Sequence, residues 1–262
     1  MEVTNDSQFQ PLEIIYQDEY MVAINKPAGL LVHKSYLARK ETHFAMTMLR
    51  DQIGQYVYPI HRLDRPTSGV LLFALSSDFA RVLSELFSER GIKKGYLALV
   101  RGYLQGSDSL DYPLKEILDK IADKKANQDK AAQEAVTCWA NVATCQYPEP
   151  IGQFAQARYS LVALRPMTGR KHQLRRHLAH LRHPIIGDTT HGDGKQNKYI
   201  KQHFNDMRLM LHATQLQFVH PISGEMVNLV AQPPADFTRL IEALGLNEIP
   251  LNPIEYVAEQ LD

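Results

Sequence analysis

The chain has 262 residues, with 29 lysines and arginines against 29 acidic side chains. That length allows one large domain or two small ones with a sizeable core, and a zero net charge excludes a protein that attracts polyanions through its overall field, so a nucleic-acid site must be a local basic patch. Two cysteines, Cys138 and Cys145, form neither a disulfide framework nor a Cys-x-x-Cys metal pair, no apolar run reaches bilayer length, and the polar start Met1–Gln10 is no signal peptide, which together point to a reducing cytoplasm.

Leu12, Ile14 and Ile15, then Met21-Val22-Ala23-Ile24, flank a Gln17-Asp18-Glu19 turn and predict a hairpin. Pro27 and Gly29 end the second strand, and Leu30-Leu31-Val32-His33 reads as strand-like. Lys26 is open between a turn residue with a solvated amine and support of the active-site wall or the RNA backbone. Phe44, Thr47, Met48 and Ile53 predict a helix over 41–53 that stops at Gly54, and 56–60 reads as a strand. Ser76-Ser77-Asp78 is an N-cap cluster for a helix carrying Ala80, Leu83, Leu86 and Phe87, with Gly91 expected as its left-handed stop. Residues 92–102 read as a strand with Tyr96, Ala98 and Val100 on one face. Residues 115–134 mix both charges with few large apolar groups and suit a solvated crossover between two halves. Strands are expected at 135–139 and 157–164 around a Pro-containing loop at 148–150. A helix follows the turn Thr168-Gly169-Arg170, with Leu174, Leu178 and Leu181 on one face. Two strands and a turn fall within 208–225, and a short amphipathic helix lies near 236–244.

Two blocks carry chemistry. In His61-Arg62-Leu63-Asp64-Arg65-Pro66-Thr67-Ser68-Gly69 an aspartate sits between arginines just before the apolar run Val70–Ala74. A charge there is costly unless paired or used. From Arg165 to Gly187 there are cations at 165, 170, 171, 175, 176 and 182 and no acid, the strongest local positive field in the chain. His172, His177, His180 and His183 lie in the same block. Interleaved arginines oppose a bound cation, so no metal site is assigned.

His61-Arg62-Leu63-Asp64-x-x-Thr67-Ser68-Gly69 followed by an apolar strand ending in Ala74 resembles the central signature of the RluA-type pseudouridine synthases. Lys26-Pro27-x-Gly29, Lys94-x-Tyr96-x-Ala98-x-Val100-x-Gly102, Thr168-Gly169-Arg170-x-His172-Gln173-Leu174-Arg175-x-His177 and His183-Pro184-Ile185-x-Gly187-Asp188 resemble its other motifs. The resemblance implies an α+β fold whose mixed, mostly antiparallel sheet is bisected by an active-site cleft. It implies an isomerase that needs no cofactor and acts on RNA. Asp64 would be catalytic, Tyr96 would stack on the target base, and Arg175 would pair with Asp64. Leu174 would pack near the base, Arg62 would fill the space it vacates, and Arg165, Arg170 and Arg176 would hold phosphates. The Arg65-Pro66 pair and the run Gly169–Leu181 are similar to the branch of the family that modifies uridine 65 of tRNA; rRNA is the alternative substrate. One catalytic domain over 1–230, two halves joined near 115–134, a C-terminal extension over 231–262, no S4 domain and a monomer are expected. Two rivals stand beside this: a non-catalytic RNA-binding module built on the basic helix, and a hydrolase using Ser68 with His61, for which Gly-x-Ser-x-Gly is missing.

Overall fold

The computed structural model describes residues 10–34, 41–117, 131–151, 155–205 and 208–261. Strands β1 (Glu13–Gln17) and β2 (Met21–Lys26) form the expected hairpin, closed by Asp18 Oδ1 accepting from the amides of Tyr20 and Met21. The segment 30–33 departs from expectation: it makes one isolated bridge, Leu31 to Phe44, and no strand. Helix α1 (Ala45–Ile53) stops at Gly54, whose φ of 68° is the left-handed conformation a glycine supplies. Strand β3 (Tyr58–Pro59) pairs with β4 (Ser68–Ala74), every residue of which is buried. Helix α2 (Ser77–Ser88) starts as predicted, with the Ser76 side chain accepting from the Phe79 amide. Its end differs. Arg90, at φ 63°, takes the left-handed place, and the Gly91 amide reaches back to the Leu86 carbonyl at 2.9 Å.

The remaining elements are β5 (Lys93–Arg101), β6 (Ser107–Asp111), β7 (Val136–Tyr147), β8 (Ala157–Pro166), α3 (Gln173–His180), α4 (Gly194–Phe204), β9 (Leu211–Val219), β10 (Met226–Val230), α5 (Ala235–Ala243) and α6 (Pro253–Leu261). Three of these had no signal in the sequence. β6, Ser-Asp-Ser-Leu-Asp, is an exposed edge strand with nothing to alternate. α4 is polar apart from Tyr199, Ile200 and Phe204, and is started by Asp193 accepting from the amides of Lys195 and Gln196. α6 begins on Pro253, a favoured first helical residue.

The ten strands form one sheet in the order β1-β2-β4-β9-β5-β8-β7-β6, with β10 beside β9 and β3 beside β4. Every strand pairing is antiparallel except β4 with β9, joined only through Ser68 opposite His212 and Gly69 opposite Ala213. The mixed, mostly antiparallel sheet is as expected. At that junction Gly69 has φ 117°, and a Cβ there would stand 2.1 Å from the Ala213 carbonyl oxygen, so only glycine lets the two backbones meet.

Core clusters cover both faces of the sheet. Leu71 and Phe73 of β4 pack with Leu49 of α1, while Val70 and Leu72 pack with Phe79 and Leu83 of α2. The largest cluster joins β5, β7 and β8 to α3, α5 and α6. Phe237, Leu240, Ile241, Leu244 and Val257, all after residue 230, are buried in it. Each such side chain contributes roughly 1.5–3 kcal/mol on burial. The segment set apart as an extension is thus packed into the same core as the strands. Of the charged crossover, residues 118–130 lie outside the described residues; its flanks meet at a bridge between Leu114 and Gln133.

Candidate active site

The turn that carries Asp64 is held from below by a lysine. Lys26 is fully buried, and its Nζ donates to the carbonyls of Pro27 and Leu30 at 2.8 Å and of Arg65 at 3.2 Å. Burial, followed by the charge of Arg208, pushes this amine down to about 7. Three carbonyls matching three N–H groups explain why a lysine sits there, and the question left open by the sequence is answered: Lys26 is a tie within the turn. Arg65 joins the same tie, donating from Nε to Gly29 O at 2.9 Å and pairing with Glu41 at 2.8 Å. The Thr67 amide closes the turn on the Asp64 carbonyl at 3.0 Å. Among the described residues neither Arg62 nor Arg65 forms an ion pair with Asp64.

That partner comes from α3. Arg175 Nη1 donates to Asp64 Oδ2 at 3.1 Å, across 111 residues of sequence. The rest of the guanidinium is committed elsewhere. Its Nε and Nη2 make a bidentate pair with Asp188, at 2.7 and 2.8 Å. Asp188 in turn accepts from the amides of Thr190 and His191 at 2.8 and 2.9 Å. Burial alone would raise the Asp188 carboxyl, but the Arg175 hydrogen bonds and the two amides outweigh it and hold it below its usual range. Burial likewise disfavours charge on Arg175, and its two carboxylates reverse this and hold it above its usual value. The result is a carboxylate–guanidinium–carboxylate line with one open end. The side chains of Arg175 and Asp188 are 5% and 1% exposed, whereas Asp64 is 23% exposed.

Asp64 opens into a cavity of about 320 Å³. Leu63 and Thr67 of the turn, Lys94 and Tyr96 of β5, and Gly169, Arg170 and His172 to Arg175 around the start of α3 supply most of its walls, closed by Pro166, Phe87 and Leu211. Lys94 and Tyr96 reach the same wall because they are two apart on one strand. Burial, helped by Asp64, raises the Tyr96 phenol above its ordinary value, so it stays protonated. His61 is fixed by structure: its Nε2 accepts from the Leu72 amide at 3.1 Å and its ring stacks on Phe87 with 4.9 Å between centroids. Burial and the nearby Lys94 drop it to about 3, so it is neutral. A second cavity, of about 400 Å³, lies on the other side of Arg175 and is lined by Arg65, Asp188, Arg208 and Asp236. Its charges are largely paired with one another.

The structure brings Asp64, Tyr96, Arg175, Arg62, Leu174 and Arg170 to one cavity. Arg165 and Arg176 do not line it. Cations of α3 and its entry turn also hold backbone at the ends of the charged crossover. Arg170 Nε donates to Glu134 O at 2.9 Å, Arg176 Nη1 to Lys115 O at 2.9 Å, and Lys171 Nζ to Ile117 O at 3.1 Å. The four histidines part company. His172 meets His191, His177 sits between Thr137 Oγ1 and Tyr112 O, His180 stacks on Tyr112, and His183 meets Arg101 O. Among the described residues no group of three or more His, Cys, Asp or Glu side chains is arranged to hold a metal ion.

The Ser68–His61 pairing is overturned. Ser68 is fully buried and meets His212 Nδ1 at 2.8 Å while accepting from Arg208 Nη2 at 2.6 Å. His61 is already spent on the Leu72 amide.

With this geometry in hand, comparison with other proteins is decisive. The sequence profile of the RNA pseudouridylate synthases matches residues 20–180. The chain belongs to that family. A tRNA pseudouridine synthase C of Vibrio cholerae serotype O1 is 55% identical over 237 residues, 90% of this chain and 97% of the relative. A protein of the same name from Yersinia pestis is 57% identical over 238 residues, 91% of this chain and 93% of the relative. Among solved structures, human RNA pseudouridylate synthase domain containing 4 aligns with a TM-score of 0.67 and 28% identity, over 91% of this chain and 94% of that one. Its counterpart, domain containing 1, gives 0.66 and 24%, over 91% and 96%, a likeness of fold. The α+β synthase fold and the isomerase class expected from the motifs therefore stand. Asp188 was missed as part of the site. Asp188 had a signal: it is the first acid after a run of six cations.

Proposed function

We propose that this protein isomerises uridine 65 of tRNA to pseudouridine, with Asp64 as its catalytic carboxylate. The observation that carries the reading is the open end of the ion-pair line: a half-buried aspartate, oriented by Arg175 at 3.1 Å, facing a cavity with Tyr96 in its wall. The tRNA assignment is supported by the names of relatives 55% and 57% identical over nine-tenths of the chain, and a cytoplasmic monomer accords with such a substrate. The reaction breaks the N1–C1′ bond, turns the uracil and joins C5 to C1′. Asp64 acts at the sugar or the base as nucleophile or base. Arg175 keeps it ionised and aimed. Tyr96 stacks on the detached ring while it turns, and Leu174 packs beside it. A base within an RNA helix reaches this cavity only by leaving its stack, at a cost of roughly a few kcal/mol. Arg62, exposed at the rim, fills the space left behind. Arg165, Arg170 and Arg176 are assigned to the RNA phosphates on their charge alone.

The test is tritium release from unmodified tRNA labelled at C5 of uridine, with the product mapped by position. Wild-type protein should release label and place pseudouridine at position 65. Asp64→Ala should lose roughly a thousandfold or more of the rate while binding tRNA within a few fold. Full activity of Asp64→Ala ends this reading, and product in rRNA alone moves the substrate.

A further inference from the structure

The isomerisation leaves one proton to be moved. Once C5 bonds to C1′ it is tetrahedral; its C–H bond must break, the electron pair must return to the ring as the C5–C6 double bond, and N1 must end with a hydrogen. A base beside C5 is required. Most titratable groups facing the cavity are spent. Asp64 is committed to breaking the N1–C1′ bond, His61 Nε2 accepts from the Leu72 amide, Tyr96 stays a phenol, and Lys94 is turned as a donor toward Thr168 O at 3.4 Å.

His172 is different. It lines the cavity and stands 3.7 Å from Asp64 Oδ2 through Nε2, beyond hydrogen-bond reach. Among the described residues that nitrogen makes no hydrogen bond, while Nδ1 lies 3.0 Å from His191 Nε2. The residue occupies the N-cap of α3, where a side chain ordinarily accepts from the first amides, yet it makes no capping bond. Its backbone is left-handed, φ 55°, an uncommon state for a non-glycine residue that must be held by the structure around it. The charged groups facing the ring are Asp64 from the turn, Lys171 and Arg175 from its own segment, and His191 from the loop after Asp188. Burial and the three basic neighbours lower its pKa against the opposing pull of Asp64, so at neutral pH it offers a lone pair.

We propose that His172 is the base that takes the proton from C5, and that His191 is a positioning residue that fixes its tautomer. His172 Nδ1–H donates to His191 Nε2, which leaves the Nε2 lone pair facing the cavity. The C5 proton converts His172 to an imidazolium whose charge Asp64 faces at 3.7 Å. The imidazolium returns that proton to water, and N1 takes one from water, so protons balance and no redox partner is needed. The inference rests on the synthase reading above.

The experiment is single-turnover conversion of unmodified tRNA carrying uridine with either hydrogen or deuterium at C5. His172→Asn keeps the left-handed backbone, which asparagine also tolerates, and removes the base. Its rate should fall roughly a hundredfold, and its deuterium isotope effect should rise to about twice that of the wild type or more, because C5–H cleavage becomes the slow step. His191→Leu should show a smaller fall with the same rise, and it carries the comparison if His172→Asn turns over too slowly to measure. A rate within a few fold of wild type overturns the inference. So does a slower rate with an unchanged isotope effect, the mark of a residue that only shapes the site. Both outcomes leave the function standing; absence of tritium release by the wild-type chain is what removes that.

Discussion

Two polar networks hang from the same turn, four residues apart, and only one of them opens into the 320 Å³ cavity. On one side Asp64, Arg175 and Asp188 form a line whose last carboxylate opens into the cavity. On the other, Ser68, His212, Arg208 and Asp236 form a closed set: Arg208 bridges Asp236 at 2.7 Å and Ser68, and His212 Nε2 lies 3.0 Å from Ala231 O. The second network contains the pair a chemist would circle first, a serine hydroxyl on an imidazole. Because Nε2 faces a carbonyl it must be the donor, so Nδ1 accepts the Ser68 proton, the arrangement of an activated nucleophile. Yet Ser68 and His212 are both 0% exposed, and neither lines either cavity. Access, not the identity of the pair, separates chemistry from structure here. The closed network ties the residues after β10 to the start of β4, and so steadies the turn that the open network uses.

The largest break in this comparison should come from Asp188→Asn. It removes the charge behind Arg175 while leaving the shape of the side chain. Arg175 is then a buried cation with one carboxylate left to share, and losing a partner from such a set costs roughly 3 kcal/mol or more. Urea unfolding should show that loss, and tritium release should fall at least about tenfold. A variant as stable and active as wild type would mean that Asp64 alone suffices to hold Arg175.

Acid should separate the networks next. Burial, then the charge of Arg208 set against the Ala231 hydrogen bond, lowers His212 to about 4, and His61 is lowered to about 3. Their unfolded values lie near 6.5. Between those limits the unfolded chain binds more protons than the folded one, so stability rises with pH and is lost as pH falls from about 6.5 toward 4. By pH 5 His212 alone should cost roughly 2 kcal/mol, a fall in melting temperature of about 4–8 °C relative to pH 7. His212→Asn should flatten that slope in a calorimetric pH series; an unchanged slope would assign the acid sensitivity elsewhere.

The smallest effect sharpens the contrast. Ser68→Ala leaves Arg208 Nη2 and His212 Nδ1 without a partner, a cost of about 1–3 kcal/mol. Its tritium-release rate, measured well below the melting temperature, should stay within about threefold of wild type. Loss of activity without loss of stability would restore the serine as a nucleophile.

Much of the site was legible before any coordinates. The long motif singled out Asp64, and the family motif within the basic block implied Arg175 as its partner, which the structure places at 3.1 Å across 111 residues. What stayed hidden has physical reasons. Asp188 closed a basic run, but only the fold shows that its carboxylate takes two of the three donor nitrogens of Arg175 that make contacts. Arg170, Lys171 and Arg176 counted as positive field, yet a cation's use of a backbone carbonyl leaves no trace in composition. Sequence neighbours misled at Asp64, because Arg65 turns to Gly29 and Glu41 instead. Helix α4 is too polar to announce itself and α6 has neither a side-chain cap among the described residues nor a glycine stop, whereas the hairpin β1–β2, helix α1 and helix α2 carried turns, stops and caps that did. His191 carries no pattern at all; its role depends on a loop placing one imidazole against another.

The parallel contact of Ser68 with His212 and of Gly69 with Ala213 also governs how the protein comes into being. It joins residues 144 apart, and closing so long a loop must precede any gain from the contact. Each side of that seam can assemble largely from neighbours in sequence, β1 to β4 on one side and β5 to β8 on the other. Its long sequence separation predicts that the seam forms late in folding. Since it fixes β4 just beyond the Asp64 turn, this order of events would bring the Asp64 carboxylate to its guanidinium only when the chain is nearly complete. A growing chain or a trapped intermediate thus carries both halves of the site without the means to act on RNA.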